Sequence, residues 1–195
     1  MIKKDVLIVV DMQNDFIDGA LGTPEAKMIV PNVIEKIKSY NNVDSFVFAT
    51  RDTHDENYLE TEEGKNLPVK HCVPSLSGWC IHDDVYDALM GLDEEVYTYY
   101  INKPTFGALE LGAKLRQLSI LYDIENIEIV GLCTDICVIS NAIIAKSALP
   151  NAHIKVDASC CAGVTPESHN RALDSMQTLQ VEIVNRGKEP WLKKE

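Results

Sequence analysis

Short apolar runs alternate with amphipathic segments along most of the chain. The apolar runs have the length of strands, and they lie at 5–10, 44–50, 95–101, 127–131, 153–157 and 181–184. The segments with a helical period lie at 31–42, 107–122, 135–149 and 167–179. Because strands that alternate with helices form parallel sheets covered by those helices, the pattern predicts an α/β fold. We expect a doubly wound, mostly parallel six-stranded sheet with helices on both faces.

One stretch departs from this alternation. Residues 52–94 show little periodicity and are interrupted by turn-forming residues such as Gly64 and Pro68. Loops of this length inside a compact domain are usually functional. We therefore expect residues 52–94 to carry part of a site, within a single domain that spans residues 1–195.

The most informative short motif is GLCTDICV at 131–138, which follows the apolar run at 127–130. A helix that begins near Thr134 or Asp135 would place Cys137 in its first turn. Free N–H groups and the positive end of the helix would then face the sulfur. This position predicts a thiol that ionises easily and acts as a nucleophile. Taken alone, a cysteine is more often a packing residue.

Two charged residues also follow predicted strands. Asp11 ends the apolar run at 6–10, and Lys103 follows the strand-like segment at 95–101. In a doubly wound sheet the first strand neighbours the strand that opens the second half, and ligands bind at that switch point. We therefore expect Asp11 and Cys137 to face each other there, with Lys103 at the same edge of the sheet.

The aperiodic stretch holds a second group of polar residues, Asp52, His54, Glu63 and His71. Two imidazoles and two carboxylates are suitable ligands for Zn²⁺, Fe²⁺ or Mn²⁺. Asp52 and His54 can lie on one side of an extended segment, because alternate residues share a face. From spacing alone, a solvated loop is the commoner explanation of such residues.

Composition excludes several classes of partner. The 195 residues are 46% hydrophobic, and the formal net charge is −12. An acidic chain without a basic stripe is poorly suited to bind nucleic acid or anionic lipid. No apolar stretch reaches the length of a membrane span, and the first apolar run is too short for a signal peptide. We therefore expect a cytoplasmic protein.

Further expectations concern the cysteines as a set and the remaining histidines. The six cysteines (72, 80, 133, 137, 160 and 161) form no CxxC pair and are expected to be free thiols. His82, His153 and His169 lack partners at ligand spacing, so we expect them on the surface or in packing. Asp157 ends the fifth predicted strand, where turn chemistry is favoured over a place in a pocket wall.

Taken together, these motifs resemble those of the isochorismatase-like cysteine hydrolases, and in particular the nicotinamidase branch. The resemblance rests on DMQNDF at 11–16, RDTH at 51–54, Lys103 and GLCTDICV at 131–138, and it extends from about residue 5 to about residue 185. It implies the isochorismatase-like hydrolase fold and a catalytic triad of Asp11, Lys103 and Cys137. Relatives also have a cis peptide bond immediately before the residue that matches Cys133. Backbone N–H groups of Cys133 and Cys137, at the predicted helix start, would form an oxyanion hole.

The same resemblance implies that the polar residues of the aperiodic stretch form a metal site. Asp52, His54, Glu63 and His71 match the ligand pattern of nicotinamidases residue by residue, with Cys72 following the last of them. One divalent metal ion is implied, with zinc as the leading candidate and iron or manganese as alternatives. In the family such a metal is thought to hold the ring nitrogen of a pyridine substrate.

The residues that would contact the substrate ring are marked less clearly. Many relatives place an aromatic residue shortly before the last metal ligand, whereas NLPVKHC offers Leu67 at the nearest position. Phe16, Trp79 or Phe106 could supply ring stacking instead. Each of these three aromatic residues is by default more often part of a core than of a pocket.

The resemblance thus predicts an amidohydrolase that converts nicotinamide to nicotinate and ammonia through a cysteine thioester, as in NAD salvage. A metal-independent amidohydrolase of the same superfamily, acting on another small amide or a carbamoyl compound, would need only the triad. Vinyl-ether-cleaving isochorismatases lack the nucleophilic cysteine, and a binding protein with an inactive site would not need all three triad residues. The expected partners are a small-molecule amide and further copies of the chain in a closed homo-oligomer, with no nucleic acid and no membrane.

Overall fold

The computed structural model describes residues 1–192 and contains a six-stranded sheet. Its strands are β1 (Ile2–Val10), β2 (Ser45–Asp52), β3 (Tyr97–Lys103), β4 (Tyr122–Leu132), β5 (His153–Ala162) and β6 (Glu182–Val184). Neighbouring strands are parallel, in the order β3-β2-β1-β4-β5-β6. The direction of winding reverses between β1 and β4, which makes this pair the switch point of a doubly wound sheet. The predicted fold class is confirmed.

Helices connect the strands. Within residues 1–192 the α-helices are α1 (Asn14–Ile17), α2 (Pro24–Ser39), α3 (Glu62–Asn66), α4 (Asp83–Met90), α5 (Leu109–Leu118), α6 (Ile139–Ala148) and α7 (Pro166–Thr178). Single 3₁₀ turns lie at Tyr58–Glu60 and Ser77–Trp79, and a π-helical turn, Thr134–Val138, leads directly into α6. None of the helices in this described part of the chain combines the length and the apolar character needed to cross a bilayer.

The sheet separates two apolar layers, because successive residues of a strand point to opposite faces. On β1, Val6 and Ile8 lie in the same layer as Leu111 of α5. Leu7 points the other way and lies in one layer with Ile29 of α2. These side chains are fully buried, so helices cover both faces of the sheet as predicted.

The start of α2 differs from the prediction of a helix over 31–42. The helix begins at Pro24 because Thr23 caps it, accepting a hydrogen bond from the N–H of Ala26 at 3.0 Å, and because proline suits the first helical position. Pro31 lies inside the helix. The predicted start at 31 thus falls on the eighth residue of the helix.

Other element boundaries differ from the prediction because strand pairing, rather than hydrophobic periodicity, determines where those elements begin and end. β4 begins at Tyr122 instead of 127, because its first residues pair with Ile2–Lys4 of β1, and the preceding helix α5 is shorter than the predicted 107–122. The stretch at 52–94 contains α4, which the sequence pattern did not reveal.

A buried group of charges joins α2 to β4 and β5. The ammonium of Lys36 lies 2.7 Å from Glu128 and 2.9 Å from Asp157. Asp157 also accepts hydrogen bonds from the backbone and the hydroxyl of Ser159, which is the expected turn chemistry. Although burial raises the pKa of Asp157, the hydrogen bonds from Ser159 and Lys36 outweigh it and lower the pKa below its ordinary value.

The structure shows the state of the six cysteines and the exposure of His82, His153 and His169. All six cysteines are free thiols, as predicted. His153 is exposed, His82 is half-buried and His169 is buried.

Candidate active site

Polar side chains gather where β1, β2 and β3 end. The strand register places Val10 beside Thr50 and Asp52 beside Lys103, so the carboxyl ends of these strands share one edge of the sheet. Asp11 follows β1 directly and has a positive φ of 47°. Aspartate tolerates this left-handed conformation better than most residues. The result is a cluster of buried polar groups at the predicted edge.

Asp11 is fully buried and has polar contacts on both carboxylate oxygens. The hydroxyl of Thr50 donates to Oδ1 at 2.7 Å, and Nζ of Lys103 lies 2.7 Å from Oδ2. Burial raises the pKa of Asp11, and the nearby ammonium of Lys103 offsets this only in part. A carboxylate with a raised pKa is a stronger base.

Lys103 connects three groups. Its Nζ lies 2.7 Å from Asp11, 3.1 Å from Oδ1 of Asp52 and 3.4 Å from Sγ of Cys137. Burial alone would lower the pKa of Lys103, but the carboxylate of Asp11, the Cys137 sulfur and the carboxylate of Asp52 raise it. The side chain is therefore a permanent cation at the centre of the site.

Cys137 lies in the π-helical turn that leads into α6, as the sequence predicts for a helix start. The N–H groups of Ile136 and Val138 both donate to the C=O of Cys133, and Asn141 donates to the C=O of Cys137 at 2.8 Å. These hydrogen bonds fix the backbone of the turn at Cys133 and at Cys137.

The expectation that Cys137 ionises easily was wrong for this arrangement. Burial raises the pKa of the thiol well above its ordinary value, and the carboxylate of Asp11 raises it further, against the opposing effect of Lys103. The helix start faces the sulfur, but desolvation and a neighbouring carboxylate dominate. The proton therefore stays on the sulfur until a base takes it. Asp11 is the candidate base, because its pKa is raised and because it contacts Lys103, which also contacts the sulfur.

The four polar residues of the aperiodic stretch form a second cluster beside Lys103. One ligand atom from each of Asp52, His54, Glu63 and His71 lies within 4.8 Å of the others. Nε2 of His54 is 2.9 Å from Oδ2 of Asp52 and 3.4 Å from Oε1 of Glu63, and Nε2 of His71 is 3.4 Å from the same Asp52 oxygen. Although burial raises the pKa of Asp52, the two imidazoles lower it below its ordinary range.

The surroundings orient the imidazole of His71. Its Nδ1 lies 2.7 Å from the C=O of Val69, which can only accept, so the ring proton is assigned to Nδ1. In the neutral ring, Nε2 then has a lone pair that is directed into the cluster, where a metal ion could accept it. An imidazole fixed through its other nitrogen is the usual arrangement of a metal ligand, and the donor set of two imidazoles and two carboxylates fits a zinc, iron or manganese ion.

Gln13 positions the cluster and was not singled out by the sequence analysis, although it belongs to DMQNDF. Its amide accepts a hydrogen bond from the N–H of Asp52 at 2.6 Å and donates to the C=O of Asp52 at 2.9 Å. It also donates to the C=O of Trp79. This buried side chain joins the loop after β1 to the end of β2, which carries the first cluster residue.

A cavity of about 150 Å³ connects the thiol and the polar cluster. Cys133 and Cys137 line one part of it, and Asp52, Glu63 and His71 line another. The remaining wall is mainly apolar and consists of Phe16, Leu21, Leu67, Phe106, Ile136 and Val164. A small apolar molecule in this cavity would contact Cys137 and the polar cluster at the same time.

The cavity includes three of the four residues predicted to contact a substrate. Phe16, Leu67 and Phe106 line it. Trp79 does not belong to the lining; its indole donates to Thr53 at 2.9 Å and stacks on the guanidinium of Arg51, so this prediction is corrected.

Several lining residues were missed by the sequence analysis. Leu21 and Thr23 lie in the connection between α1 and α2, Val164 lies in the connection between β5 and α7, and no motif marks them. Ile136 belongs to the segment predicted to be helical at 135–149, yet it borders the cavity because its π-helical turn precedes the regular helix.

The backbone before Cys133 agrees with one further expectation. The peptide bond between Leu132 and Cys133 is cis. The assignment of an oxyanion hole to the N–H groups of Cys133 and Cys137 stays a prediction. Gly131 is required by close approach, since a Cβ atom there would lie 2.1 Å from the C=O oxygen of Val10.

The chain is similar to known proteins over most of its length. The chain matches the family described as Isochorismatase domain over residues 5–187. It is 29% identical over 180 residues to the uncharacterized isochorismatase family protein PncA of Bacillus subtilis, covering 87% of this chain and 92% of that protein. It is 25% identical over 194 residues to the nicotinamidase/pyrazinamidase of Mycobacterium tuberculosis, covering 91% and 97%. The structure of the pyrazinamidase of Pyrococcus horikoshii in complex with zinc superposes with a TM-score of 0.74 at 29% identity, covering 93% of this chain and 98% of that one.

Proposed function

The chain belongs to the isochorismatase family, and we propose that it is a metal-dependent nicotinamidase that hydrolyses nicotinamide to nicotinate and ammonia. One observation carries the proposal: a single small apolar cavity is lined by Cys137 and by three residues of the polar cluster. A ligand with a carboxamide at one end and a metal-binding atom at the other matches that arrangement. The nicotinamidase/pyrazinamidase relatives support the same assignment.

Asp52, His54, Glu63 and His71 would hold the metal ion, with zinc as the leading candidate and iron or manganese as alternatives. The donor set and the mutual distances of its ligand atoms fit one divalent ion. When bound, the ion would supply a Lewis-acidic position for a ring nitrogen. The apolar walls would exclude water around the ring and leave its carboxamide beside the sulfur.

Proton transfer within the triad would start the reaction. Asp11 would take the proton of the Cys137 thiol, and Lys103, which contacts both groups, would stabilise the resulting charges. The thiolate would attack the amide carbon and give a tetrahedral oxyanion. Burial raises the pKa of Asp11, which makes its carboxylate a stronger base toward the Cys137 thiol, whose pKa burial also raises.

Release of ammonia and of the acid would complete the cycle. Backbone N–H groups of Cys133 and Cys137 would hold the oxyanion. The carbon–nitrogen bond would break as Asp11 returns its proton to the leaving nitrogen, which leaves a thioester on Cys137. Water, deprotonated by Asp11, would then hydrolyse the thioester and regenerate the thiol.

The shape of the cavity sets the substrate class. A volume of about 150 Å³ with mainly apolar walls suits one flat ring with a small amide group, and aromatic contacts from Phe16 and Phe106 would favour it. The expectations of a single domain, a cytoplasmic location and a closed homo-oligomer stay predictions.

Ammonia release from nicotinamide, measured with zinc-loaded protein, with chelated protein and after zinc is added back, tests the proposal. We expect activity to fall at least about 10-fold on chelation and to return with the metal. Equal activity in all three samples would indicate a metal-independent amidohydrolase of the same superfamily. Ammonia release from a carbamoyl compound but not from nicotinamide would contradict the substrate assignment.

A further inference from the structure

A buried histidine contacts the π-helical turn Thr134–Val138, which carries Cys137. His169 of α7 is 1% exposed, and its Nδ1 lies 2.8 Å from the hydroxyl oxygen of Thr134. Thr134 is fully buried and is the first residue of the turn that carries Cys137. Neither His169 nor Thr134 lines the substrate cavity, so neither has a part in the reaction steps described above.

The other nitrogen of His169 faces a carboxylate from the C-terminal segment. Nε2 lies 3.6 Å from Oε1 of Glu189, which is also buried, and the ring packs edge-on against Trp191. A carboxylate on this side favours the tautomer with its proton on Nε2, which leaves the Nδ1 lone pair to accept the hydroxyl of Thr134. Burial lowers the pKa of His169 against the opposing effect of Glu189, which keeps the ring neutral at neutral pH.

The same side of the turn has a second fixed contact and little free space. Oδ1 of Asp135 accepts a hydrogen bond from the N–H of Val164 at 3.1 Å. A Cβ atom on Gly163 would lie 2.8 Å from the backbone nitrogen of His169. The connection between β5 and α7 is thus packed closely against residues Thr134 and Asp135, and the turn cannot shift in this direction without disturbing α7.

We propose that His169 is a positioning residue for the nucleophile turn and that Glu189 sets its tautomer. By holding the Thr134 hydroxyl, His169 fixes the backbone between Cys133 and Cys137, where the N–H groups that would bind the oxyanion are located. The proposal rests on the proposed function for its kinetic consequence. Preorganised donors lose much of their effect when they are displaced by a fraction of an ångström.

Paired substitutions separate positioning from simple packing. Thr134→Val removes the hydroxyl while keeping the shape, whereas Thr134→Ser keeps the hydroxyl. His169→Leu removes the acceptor, whereas His169→Asn can accept at the position of Nδ1. The matched control is His153→Leu, which removes an exposed histidine paired with Glu182.

We expect Thr134→Val and His169→Leu each to lower kcat by about 10²-fold, the cost of a small misplacement of reacting groups, with KM changed little. Thr134→Ser and His169→Asn should recover most of the loss, and the Thr134→Val/His169→Leu double variant should be no slower than the poorer single variant. Unchanged kcat in folded Thr134→Val protein, or equal losses in Thr134→Val and Thr134→Ser, would overturn the proposal, even if His169→Leu fails to fold.

The rate at which iodoacetamide alkylates Cys137 provides a second test, which does not depend on the substrate. A loosened turn should lower that rate about fivefold in Thr134→Val through the weaker field of the helix start, and Thr134→Ser should react like the wild type. If the wild-type protein fails to hydrolyse nicotinamide, the proposed function is wrong, while the alkylation rates still decide whether His169 and Thr134 position the turn. Identical rates in all variants would contradict the positioning role.

Discussion

The ammonium of Lys103 lies 3.1 Å from Oδ1 of Asp52, so the cation that contacts the thiol is also paired with a residue of the polar cluster. The two residues are register partners on adjacent strands, which fixes their separation through the sheet. Cys137 and the polar cluster therefore both contact the buried ammonium of Lys103. A substitution in either part of the site is expected to affect the other.

Asp11, Lys103 and Cys137 are expected to act as a unit. Asp11→Asn keeps the shape and removes the base, and Lys103→Met keeps the length and removes the charge. Each should lower kcat/KM at least about 10³-fold, and combining them with Cys137→Ala should add little. Steady-state kinetics of the single and combined variants measure this directly. Single losses that multiply in the combined variant would contradict a shared mechanism.

Cys137 is expected to react with iodoacetamide faster than the core residues Cys160 and Cys161, because it lines the cavity and they do not. Since burial and Asp11 raise its pKa above the ordinary value of a cysteine thiol, the thiolate fraction should still increase as the pH passes about 8.5. Peptide mass spectrometry of metal-free protein, alkylated at a series of pH values, follows each cysteine separately. A plateau reached below the ordinary cysteine value of about 8.5 would contradict the raised pKa.

Removal of one predicted metal ligand should reduce both metal content and selectivity. His54→Ala should lower bound zinc and should slow nicotinamide hydrolysis strongly. Benzamide, which lacks the ring nitrogen, should be hydrolysed up to about 10⁴-fold more slowly than nicotinamide by the wild type, and this preference should shrink in His54→Ala. His82→Ala, at a half-buried histidine outside the cluster, is the control. Equal rates on both amides in the wild type would argue for the metal-independent alternative.

The Lys36–Asp157 pair should stabilise the fold at neutral pH but not in acid. Asp157 has a lowered pKa in the folded protein, so its stabilising contribution is present above the unfolded-state value of about 3.9 and is lost as the pH falls through the folded-state value. Asp157→Asn should therefore reduce the free energy of unfolding by about 2 kcal/mol at pH 7, because it weakens charge-assisted hydrogen bonds while Glu128 still pairs with Lys36.

Urea unfolding of the wild type and of Asp157→Asn at pH 7 and in acid measures that difference. The two proteins should converge as the pH falls below about 4. Asp174→Asn, which removes an exposed carboxylate paired with Arg186, should show little change at either pH. A destabilisation by Asp157→Asn that is independent of pH would assign the effect to packing.

Much of the site could be predicted from the sequence because strand ends are visible in it. Asp11, Asp52 and Lys103 each lie where an apolar run stops, and parallel strands place their carboxyl ends at one edge of the sheet. The structure brings these residues together within hydrogen-bond distance. The helix start at Cys137 was equally visible, because a short motif follows a buried strand.

The ionisation state of Cys137 and the walls of the cavity could not be predicted in this way. The pKa of the thiol depends on burial and on the carboxylate of Asp11, which lies 126 positions earlier in the chain. Leu21 and Val164 line the cavity from connecting segments that contain no motif. Trp79 contacts Arg51 and Thr53 instead of the cavity. These features depend on tertiary contacts rather than on local pattern.

The rate of ammonia release from nicotinamide, measured side by side for the wild type and Cys137→Ala at equal zinc content, decides whether Cys137 is the nucleophile of a nicotinamidase. We expect steady turnover by the wild type and a loss of at least about 10³-fold in the variant, because the covalent route disappears while the metal site is unchanged. Retention of wild-type turnover by Cys137→Ala, or no ammonia release by the zinc-loaded wild type, would contradict this assignment.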